Sequence, residues 1–587
     1  MSQLWTIAEI ASKYGRARDR LLDILRTVQA EQGWISDEAV REIAHALGLR
    51  KIEVHDAATF YSFLSRKPTG RTAIRLSKGV VEKQHGLAAV AEAFERAVGV
   101  RFGETTADGS LSLGYTSCIG MSDQPPSALV GGQVVGSIRP EEVPDLVASL
   151  RRDGRLARSR VETNLVVPGA GIFAPMEHGR AVRAALNMSP AQVITEINHA
   201  RLRGRGGAGF PTAMKWDFCR KAPGRAHYVV CNADEGEPGT FKDRVIFSQA
   251  PDLVIEGMTV AAYAIGASFG LLYLRAEYTY LLDRIEEVLA RRRHQGLLGS
   301  HVCGKEGFDF DIRVQLGAGA YVCGEESSLL ESAEGKRGAP RDRPPFPVTK
   351  GYLGQPTAVN NAETLCCAAR IMDKGAAWFA AIGTKDSTGT KLFSVSGDCK
   401  SPGVYELPLG LSVNQLLETV GASDVQAVYV GGPSGACVAP KDFGRRVCFE
   451  DLATGGSVMV FNKERDLLQV VRDFAEFFVE ESCGSCAPCR VGTTLLLRMI
   501  ERVMEGQACR ADIRQAEDLA ATVRGCSRCG LGQTAPNPVL TTLRNFPELY
   551  ETRLRPEAYV PVLRIEEAVA AAERASGRRS ALREAHE

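Results

Sequence analysis

The 587-residue sequence predicts a multidomain α/β protein that ends in a helical bundle. Its length corresponds to about three to five domains of ordinary size. Apolar strands alternate with helical patterns from about 161 to 385, which is typical of a largely parallel sheet covered by helices. From about 465 onward the pattern is helical, and this part holds a run of three closely spaced cysteines.

Composition and charge are those of an ordinary globular chain. Apolar residues make up 44% and the net charge is +1, so no long-range field favours nucleic acid or an anionic membrane. The first residues lack the basic head and apolar core of a signal peptide, and we expect a cytoplasmic protein without disulfides. The uncharged stretch 257–274 is long enough to span a bilayer. Its glycines favour a buried helix that runs into a strand, so we expect no membrane segment.

The first 150 residues divide into two predicted parts. Residues 1–70 form a helical segment, in which a stripe from Leu21 to Val28 is broken at Gly33, and Ser36 caps a second helix. Residues 71–150 form a mixed α/β domain, with a helix at 87–98 and strands near 72–76, 111–115 and 128–130. The charged stretch 151–160 is predicted as an interdomain linker, and the alternative is a solvated helix end.

Three further domains follow the linker. Residues 160–385 form the helix-covered sheet. Residues 390–462 form a small α/β module, in which strands 391–396 and 427–431 flank a helix over 413–420. Residues 465–587 form the helical bundle.

Cys483, Cys486 and Cys489 stand at two-residue gaps, and Cys529 follows forty residues later. Three such thiolates completed by a distant fourth have the ligand spacing of a cubane [4Fe–4S] cluster. A structural zinc site normally uses two separated pairs, and Cys526 with Cys529 would supply the second pair. The overlapping triplet favours the cluster, and the chain is therefore predicted to move single electrons.

A glycine-rich loop begins at Gly204 and ends at Pro211. It satisfies GxGxxG, but Val193, Ile194 and Ile197 precede it at helical spacing, which disfavours a standard Rossmann turn. Its dense glycines still expose backbone N–H groups that can surround a phosphate, and Lys215 adds positive charge. The alternative is a tight surface turn.

Acidic side chains follow two apolar strands of the same region. Residues 232–237 hold an asparagine and three acids after a strand that starts at Tyr228, and Glu325 and Glu326 follow a strand over 310–316. Ligands of open α/β sheets lie beyond the carboxyl ends of strands. The alternatives are a solvated acidic turn and, for the two glutamates, helix capping. All three elements together favour a cofactor pocket.

These motifs together resemble the flavin- and NADH-binding subunit of respiratory complex I and its soluble relatives over about residues 160–545. Residues 1–150 resemble that subunit's thioredoxin-like [2Fe–2S] companion, in Gly33-Trp-Ile-Ser and Ala58-Thr-Phe-Tyr-Ser-Phe. Fusion of the two in one chain resembles the large diaphorase subunits of cytoplasmic NAD-reducing [NiFe] hydrogenases. The resemblance implies a thioredoxin-like domain at 71–150, a Rossmann-like FMN domain, a ubiquitin-like insert at 390–462 and a cluster-bearing bundle.

The resemblance also implies which residues bind the cofactors. FMN would contact Gly204, Arg205, Gly206, Lys215, Asn232, Asp234, Glu235, Gly324, Glu325, Asn360, Asn361 and Thr364. NAD(H) would contact Phe210, Phe218, Glu237, Glu326, Arg343 and Phe346, although any one of these phenylalanines taken alone is more typical of core packing. Glu237 corresponds to the family acid beside the nicotinamide and is the predicted catalytic residue. Cys483, Cys486, Cys489 and Cys529 would hold the [4Fe–4S] cluster.

One departure from the resemblance concerns the N-terminal domain. The companion's four cluster cysteines fall near positions that hold Ser77, Glu82, Cys118 and Ser122 in this sequence. One thiolate cannot hold a binuclear cluster that needs four ligands. We therefore expect no [2Fe–2S] cluster there, and a domain that acts as scaffold and docking surface.

The predicted function is that of a diaphorase subunit. It exchanges hydride reversibly between NAD(H) and FMN and single electrons between FMN and the [4Fe–4S] cluster, because a flavin handles both one and two electrons. The expected partners are a small iron–sulfur diaphorase subunit and a [NiFe] hydrogenase heterodimer, with no nucleic acid and no membrane. The alternatives are the equivalent subunit of an NAD-dependent formate dehydrogenase or of complex I, and a non-catalytic assembly scaffold stabilised by a metal.

Overall fold

The computed structural model describes residues 5–156, 159–161, 166–167, 169, 171–556 and short stretches between 569 and 579. Four helices open the chain: α1 (Ile7–Lys13), α2 (Leu21–Gln32), α3 (Asp37–Leu47) and α4 (Lys51–Phe60). Gly33, at φ 82°, ends α2, and the Ser36 hydroxyl accepts from the N–H of Ala39 to begin α3. Both signals are confirmed as the sequence predicted them.

A thioredoxin-like layer follows. It contains β1 (Thr72–Ser77), α5 (Val80–Gln84), α6 (Leu87–Val98), β2 (Leu111–Thr116), β3 (Ala128–Val130), β4 (Gln133–Val135) and α7 (Val143–Asp153), and a short strand β5 (Val166–Val167) comes after the linker. The sheet order is β2-β1-β3-β4, with β1 and β2 parallel and the other pairs antiparallel. All three predicted strands and the predicted helix are present.

The central domain is a four-stranded sheet in the order β8-β7-β6-β9 with every pair parallel. Its strands are β6 (Tyr228–Ala233), β7 (Phe269–Leu274), β8 (Asp311–Leu316) and β9 (Thr357–Asn361). Its helices are α8 (Arg180–Leu186), α9 (Pro190–His199), α10 (Thr212–Lys221), α11 (Lys242–Gln249), α12 (Pro251–Ile265), α13 (Leu282–His294), α14 (Glu326–Ala333), α15 (Pro347–Lys350), α16 (Ala362–Lys374) and α17 (Ala376–Ala380). The four carboxyl ends therefore share one edge, as predicted.

The uncharged stretch 257–274 is a buried helix followed by a strand, as expected. Helix α12 ends at Gly266, whose φ of 79° suits glycine, and the chain then enters β7. Among the described residues, no helix combines the length and apolar character needed to cross a bilayer.

The small domain is built on a six-stranded sheet in the order β13-β12-β14-β10-β11-β5. Its own elements are β10 (Thr390–Gly397), β11 (Gly403–Pro408), α18 (Val413–Val420), β12 (Val425–Val430), β13 (Ala436–Val438) and β14 (Ser457–Asn462). The predicted helix and strands are present. The strand β5, which follows the linker, pairs with β11 and adds a sixth strand to this sheet.

A helical bundle follows the small domain. It consists of α19 (Leu467–Glu481), α20 (Ala487–Met504), α21 (Arg510–Cys526), α22 (Gly530–Thr534), α23 (Asn537–Asn545) and α24 (Glu548–Glu551). Its helices pack through an apolar core that includes Leu496, Ile500 and Val503.

The N-terminal helices pack on the central sheet. Apolar residues of α1–α4 share one buried core with Val230, Leu271 and Tyr273 of β6 and β7. The Arg26 guanidinium donates to the carbonyl of Gly317 over 2.6 Å. The N-terminal helices thus form one covering layer of the central sheet.

Candidate active site

The glycine-rich loop closes on itself at the carboxyl edge of the central sheet. The N–H of Gly204 donates to the carbonyl of Phe210 over 2.9 Å, and the N–H of Arg205 donates to the Thr364 hydroxyl over 2.8 Å. A Cβ added at Gly206 would stand 3.3 Å from Cβ of Asn361, so the loop lies directly against β9. The Arg205 guanidinium is buried and donates to the Thr388 carbonyl over 2.6 Å. It therefore braces the loop from inside.

The acids after β6 differ in their surroundings. Asn232 donates to the carbonyl of Gly324 over 2.8 Å, which joins the ends of two motifs. Burial raises the pKa of Asp234 to about 8, and its Oδ2 has no hydrogen-bond partner among the described residues. Glu235 points inward, where it accepts from the N–H of Asp243 and from the Tyr278 hydroxyl. Asp234 is therefore the acid left open to a polar ligand.

The pair Glu325 and Glu326 serves two purposes. Glu325 caps α14, since its Oε2 accepts from the N–H groups of Ser327 and Ser328, so the capping alternative is correct for this residue. Glu326 accepts from Lys215 over 3.0 Å, and the same ammonium also donates to the carbonyl of Val359 over 2.9 Å. Lys215 of α10 is thereby held between Glu326 of α14 and β9, so three motifs that are distant in the sequence meet here.

The cation predicted to contact the nucleotide lies beside the two glutamates. The Arg343 guanidinium is 3.4 Å from Glu325 and 3.8 Å from Glu326. In β9, the side-chain oxygen of Asn360 accepts from the Trp216 indole over 2.9 Å. Asn360 is thus engaged in fixing α10 against β9.

The three predicted stacking aromatics are exposed. Phe210, Phe218 and Phe346 keep 44%, 46% and 51% of their surface accessible. Phe210 precedes α10, Phe218 lies within it, and Phe346 begins α15, which packs against α10. Core packing is excluded as the explanation for these three side chains, and they offer flat apolar faces at one rim of the pocket.

A cluster of buried charged side chains contacts the end of β9 at this sheet edge. The sequence reasoning did not select these residues. Lys242 donates to Asp243 over 2.6 Å and to Asn361 over 3.2 Å, and lies 3.3 Å from Glu363. Lys391 of β10 forms a short ion pair with the same Glu363. Burial opposes the charge of Glu363, but Lys391 and Lys242 outweigh it and hold the pKa of this carboxyl below its ordinary value. The network ties the pocket residue Asn361 to the small domain.

Glu237 is held by two hydrogen bonds from other motifs. The Tyr321 hydroxyl donates to its Oε2 over 2.6 Å, and the N–H of Ser434 donates to its Oε1 over 2.8 Å. Burial raises the pKa of Glu237 to about 6, although both partners lower it. A carboxyl with such a pKa can hold or release a proton close to neutral pH. Tyr321 and Ser434 are functional neighbours that the sequence reasoning did not select.

Four cysteines gather where the bundle meets the N-terminal helices. Cys483, Cys489 and Cys529 are buried in one apolar core, and Cys486 packs against it. A Cβ added at Gly532 would lie 3.0 Å from Cβ of Cys489, so the segment after Cys529 contacts the triplet directly. The donor set is four convergent thiols in an apolar shell, which fits a [4Fe–4S] cluster.

The zinc alternative fits these cysteines poorly. Cys526 is exposed, whereas its proposed pair mate Cys529 is buried. Among the described residues, no three His, Cys, Asp or Glu side chains are gathered as tightly as a single metal ion requires. A cubane binds each thiolate through a different iron, and its ligands therefore stand farther apart than those of one ion.

The four cluster positions of the N-terminal domain also converge. The hydroxyls of Ser77 and Ser122 donate to the same oxygen of Glu82 over 3.2 and 3.4 Å. The thiol of Cys118 lies 3.5 Å from the Ser122 hydroxyl. Burial raises the pKa of Glu82.

Comparison with protein families assigns three regions of the chain. The model described as the Nuo51 FMN-binding domain matches residues 197–370, and that of the NADH-ubiquinone oxidoreductase-F iron–sulfur binding region matches residues 469–553. The model of the thioredoxin-like [2Fe–2S] ferredoxin matches residues 7–151.

The last match contradicts the expectation that no [2Fe–2S] cluster belongs to the N-terminal domain, and that expectation is wrong. The expectation is based only on the side chains at four positions, whereas the family match extends over the whole region 7–151. Those positions hold one thiol, one carboxyl and two hydroxyls, a donor set that differs from four thiolates. We therefore assign no electron-transfer step to this place.

Similar proteins cover between 63% and 96% of this chain. The NAD-reducing hydrogenase HoxS subunit alpha of Cupriavidus necator is 48% identical over 93% of this chain and 94% of its own length. The NADP-reducing hydrogenase subunit HndC of Solidesulfovibrio fructosivorans is 41% identical over 63% of this chain and 77% of its own length. A chain in the crystal structure of an NAD⁺-reducing [NiFe]-hydrogenase in the H₂-reduced state superposes with a TM-score of 0.87 at 38% identity, covering 96% of this chain and 97% of that one.

Proposed function

Since the chain belongs to the family of NAD-reducing hydrogenase alpha subunits, we propose that it is the diaphorase subunit of such an enzyme. It exchanges electrons between NAD(H) and a partner hydrogenase module. The proposal rests on hydrogen bonds that connect three motifs, distant in the sequence, at one edge of the sheet. Asn232 bonds to Gly324, Arg205 to Thr364 and Lys215 to Glu326.

We assign the two cofactors to the sites described above. FMN, when bound, supplies the conversion between two-electron exchange with nicotinamide and one-electron exchange with a cluster. The residues that would hold it are Gly204, Arg205, Gly206, Lys215, Asn232, Asp234, Glu235, Gly324, Glu325, Asn360, Asn361 and Thr364. The residues that would hold the [4Fe–4S] cluster are Cys483, Cys486, Cys489 and Cys529.

The chain's own residues orient the substrate and control a proton. Phe210, Phe218 and Phe346 offer exposed aromatic faces on which a nicotinamide nucleotide can stack. Glu326 and Arg343 supply a carboxylate and a cation at the same rim. The raised pKa of about 6 lets the Glu237 carboxylate take up or release a proton close to neutral pH. Fixed placement of the reacting groups is worth several kcal/mol in general.

We further propose a cytoplasmic location and a hetero-oligomer. All 16 cysteines are free, which suits a reducing compartment and keeps thiols available for the cluster. The expected partners are a small iron–sulfur diaphorase subunit and a [NiFe] hydrogenase heterodimer.

The decisive experiment is an assay of the purified complex. We expect a flavin absorption spectrum and hydrogen-driven reduction of NAD⁺. Formate-driven reduction in place of hydrogen would transfer the subunit to a formate dehydrogenase. A colourless protein without flavin would refute the diaphorase assignment and favour an assembly scaffold.

A further inference from the structure

A chain of side-chain hydrogen bonds leads from Glu237 to the helix that follows Cys529. The Tyr321 hydroxyl donates to Oε2 of Glu237 over 2.6 Å and lies 2.9 Å from Oγ of Ser434. The Thr534 hydroxyl lies 3.2 Å from the same Oγ. Thr534 belongs to α22, which begins directly after Cys529. The central domain, the small domain and the bundle thus meet in one hydrogen-bonded chain.

The loop that carries Ser434 is shaped to reach Glu237. The N–H of Ser434 donates to Oε1 of Glu237 over 2.8 Å, and its carbonyl accepts from the Asn537 amide over 2.7 Å. Gly432 of the same loop has a φ of 65°, and a Cβ there would stand 2.7 Å from Oε1 of Glu237. Each oxygen of the Glu237 carboxylate is therefore held by a different partner, and Ser434 is anchored on both sides.

The hydroxyls along this chain can be ordered in two ways, because each carries a single hydrogen. With Glu237 ionised, Tyr321 donates to the carboxylate, and Ser434 donates to the Tyr321 oxygen. With Glu237 protonated, its own O–H donates to Tyr321, which turns to donate to Ser434, and Ser434 donates to Thr534. The Thr534 hydrogen is directed to the carbonyl of Gly530 over 2.8 Å. The two orders differ by one proton at Glu237 and need no movement of heavy atoms.

We propose that Ser434 is a positioning residue for Glu237. Its hydroxyl keeps the Tyr321 hydroxyl directed at the carboxylate and relays the protonation state of Glu237 to Thr534, the last residue of the short helix that begins after Cys529. The inference rests on the proposed function, since it deepens the role of Glu237 at the nucleotide pocket.

The surroundings of Glu237 make its protonation sensitive to these two hydroxyls. Burial raises the pKa of Glu237, and the hydrogen bonds from Tyr321 and Ser434 lower it. No charged side chain of the described residues contributes to this pKa shift. Tyr321 is the titratable group that faces it. Beyond Tyr321 lie Glu481, which accepts from the Tyr321 N–H over 3.0 Å, and Cys529, which raises the pKa of the Tyr321 hydroxyl after burial and Glu237.

The test is the pH profile of kcat/KM for NADH with an artificial electron acceptor, measured on the purified complex. Glu237→Gln identifies the limb of the profile that belongs to Glu237. Ser434→Ala should move that limb upward by about half a pH unit or more, because the Ser434 side chain lowers the pKa of Glu237 and its hydroxyl then no longer orders the Tyr321 donor, while the Ser434 N–H bond remains. Ser434→Thr, which keeps a hydroxyl, should restore the profile. Thr534→Val should produce a smaller shift in the same direction.

Thr541→Val is the matched control. The Thr541 hydroxyl accepts from the N–H of Cys437 and so links the small domain to the bundle without touching Glu237; its profile should match that of the unaltered protein. A Ser434→Ala profile that superimposes on the unaltered one, or that falls equally at every pH, would overturn the inference. Absence of flavin or of NADH oxidation in the unaltered complex would instead overturn the proposed function together with it.

Discussion

The buried ion pair between Lys391 and Glu363 gives the sharpest test of how the small domain supports the pocket. Both side chains are fully buried, and the second oxygen of Glu363 accepts from the N–H of Leu392 over 2.8 Å. Lys391→Met removes one of the two cations around this carboxylate and leaves Lys242, whose ammonium is 3.3 Å away. The variant therefore weakens the compensation of a buried charge without abolishing it.

The expected loss follows from that geometry. Removing one partner of a buried pair typically costs about 3–5 kcal/mol, and the remaining Lys242 places this case at the lower end, about 3 kcal/mol. A domain of this size loses about 2–4 °C of melting temperature per kcal/mol, so the central domain should melt about 6–12 °C lower. The double variant Lys391→Met/Glu363→Gln should recover part of the loss, because neither charge is then left uncompensated.

The assay is thermal release of bound flavin, followed by its fluorescence, alongside calorimetry of the complex. Lys385→Met is the control, because Lys385 is exposed six positions before Lys391 and the same substitution there should change stability by less than about 0.5 kcal/mol. A Lys391→Met complex that melts with the control would refute the reasoning. A double variant whose loss equals the sum of the two single losses would show that the two charges do not act on each other.

Three further outcomes follow from the structure. Cys486→Ala should abolish hydrogen-driven NAD⁺ reduction while leaving some NADH-to-dye activity. Cys526→Ala, at an exposed cysteine near Cys529 in the sequence, should retain both activities. Equal activity of the two variants would contradict the assignment of Cys486 as a cluster ligand. Asp234→Asn should be more stable than the unaltered protein at high pH. The pKa of Asp234 in the folded protein is raised to about 8, so the stability contributed by protonated Asp234 is present below its unfolded pKa and is lost as pH rises through 8. Melting curves whose difference does not grow with pH would contradict this. Phe218→Ala should raise KM for NADH several-fold with little change in flavin content, as titration of initial rates would measure, and an unchanged KM would remove Phe218 from the nucleotide site.

Local signals in the sequence predicted the elements well. The Ser36 cap, the Gly33 and Gly266 terminators and the helix over 413–420 are set by neighbouring residues, and the structure confirms each of them. The meeting of the polar motifs at one edge of the sheet was also predictable, because parallel strands end at one edge and the motifs follow those ends.

The buried support of the pocket was not predictable in the same way. Lys242, Asp243 and Arg244 form a charged triplet that is typical of a solvated surface, yet all three are buried. Their partners Asn361 and Asp123 stand about 120 positions away in opposite directions along the chain. Only the fold brings such partners together. The same limit applies to Arg205, whose guanidinium turns inward to the carbonyl of Thr388.

The covering of the central sheet by α1–α4 has a consequence for biosynthesis. Arg26 and Gly317 are separated by 291 positions, so the second helix is made long before the sheet that it covers. At a synthesis rate of about 5–20 residues per second, the apolar face of that helix waits about 15–60 s for its partner strands. During that interval the apolar face of the helix must be shielded on the ribosome-bound chain. The sheet face, in turn, is removed from solvent only when the helices pack on it. Because the helices and the sheet belong to one polypeptide, each sheet has one such helical layer, which is already synthesised when the sheet emerges from the ribosome.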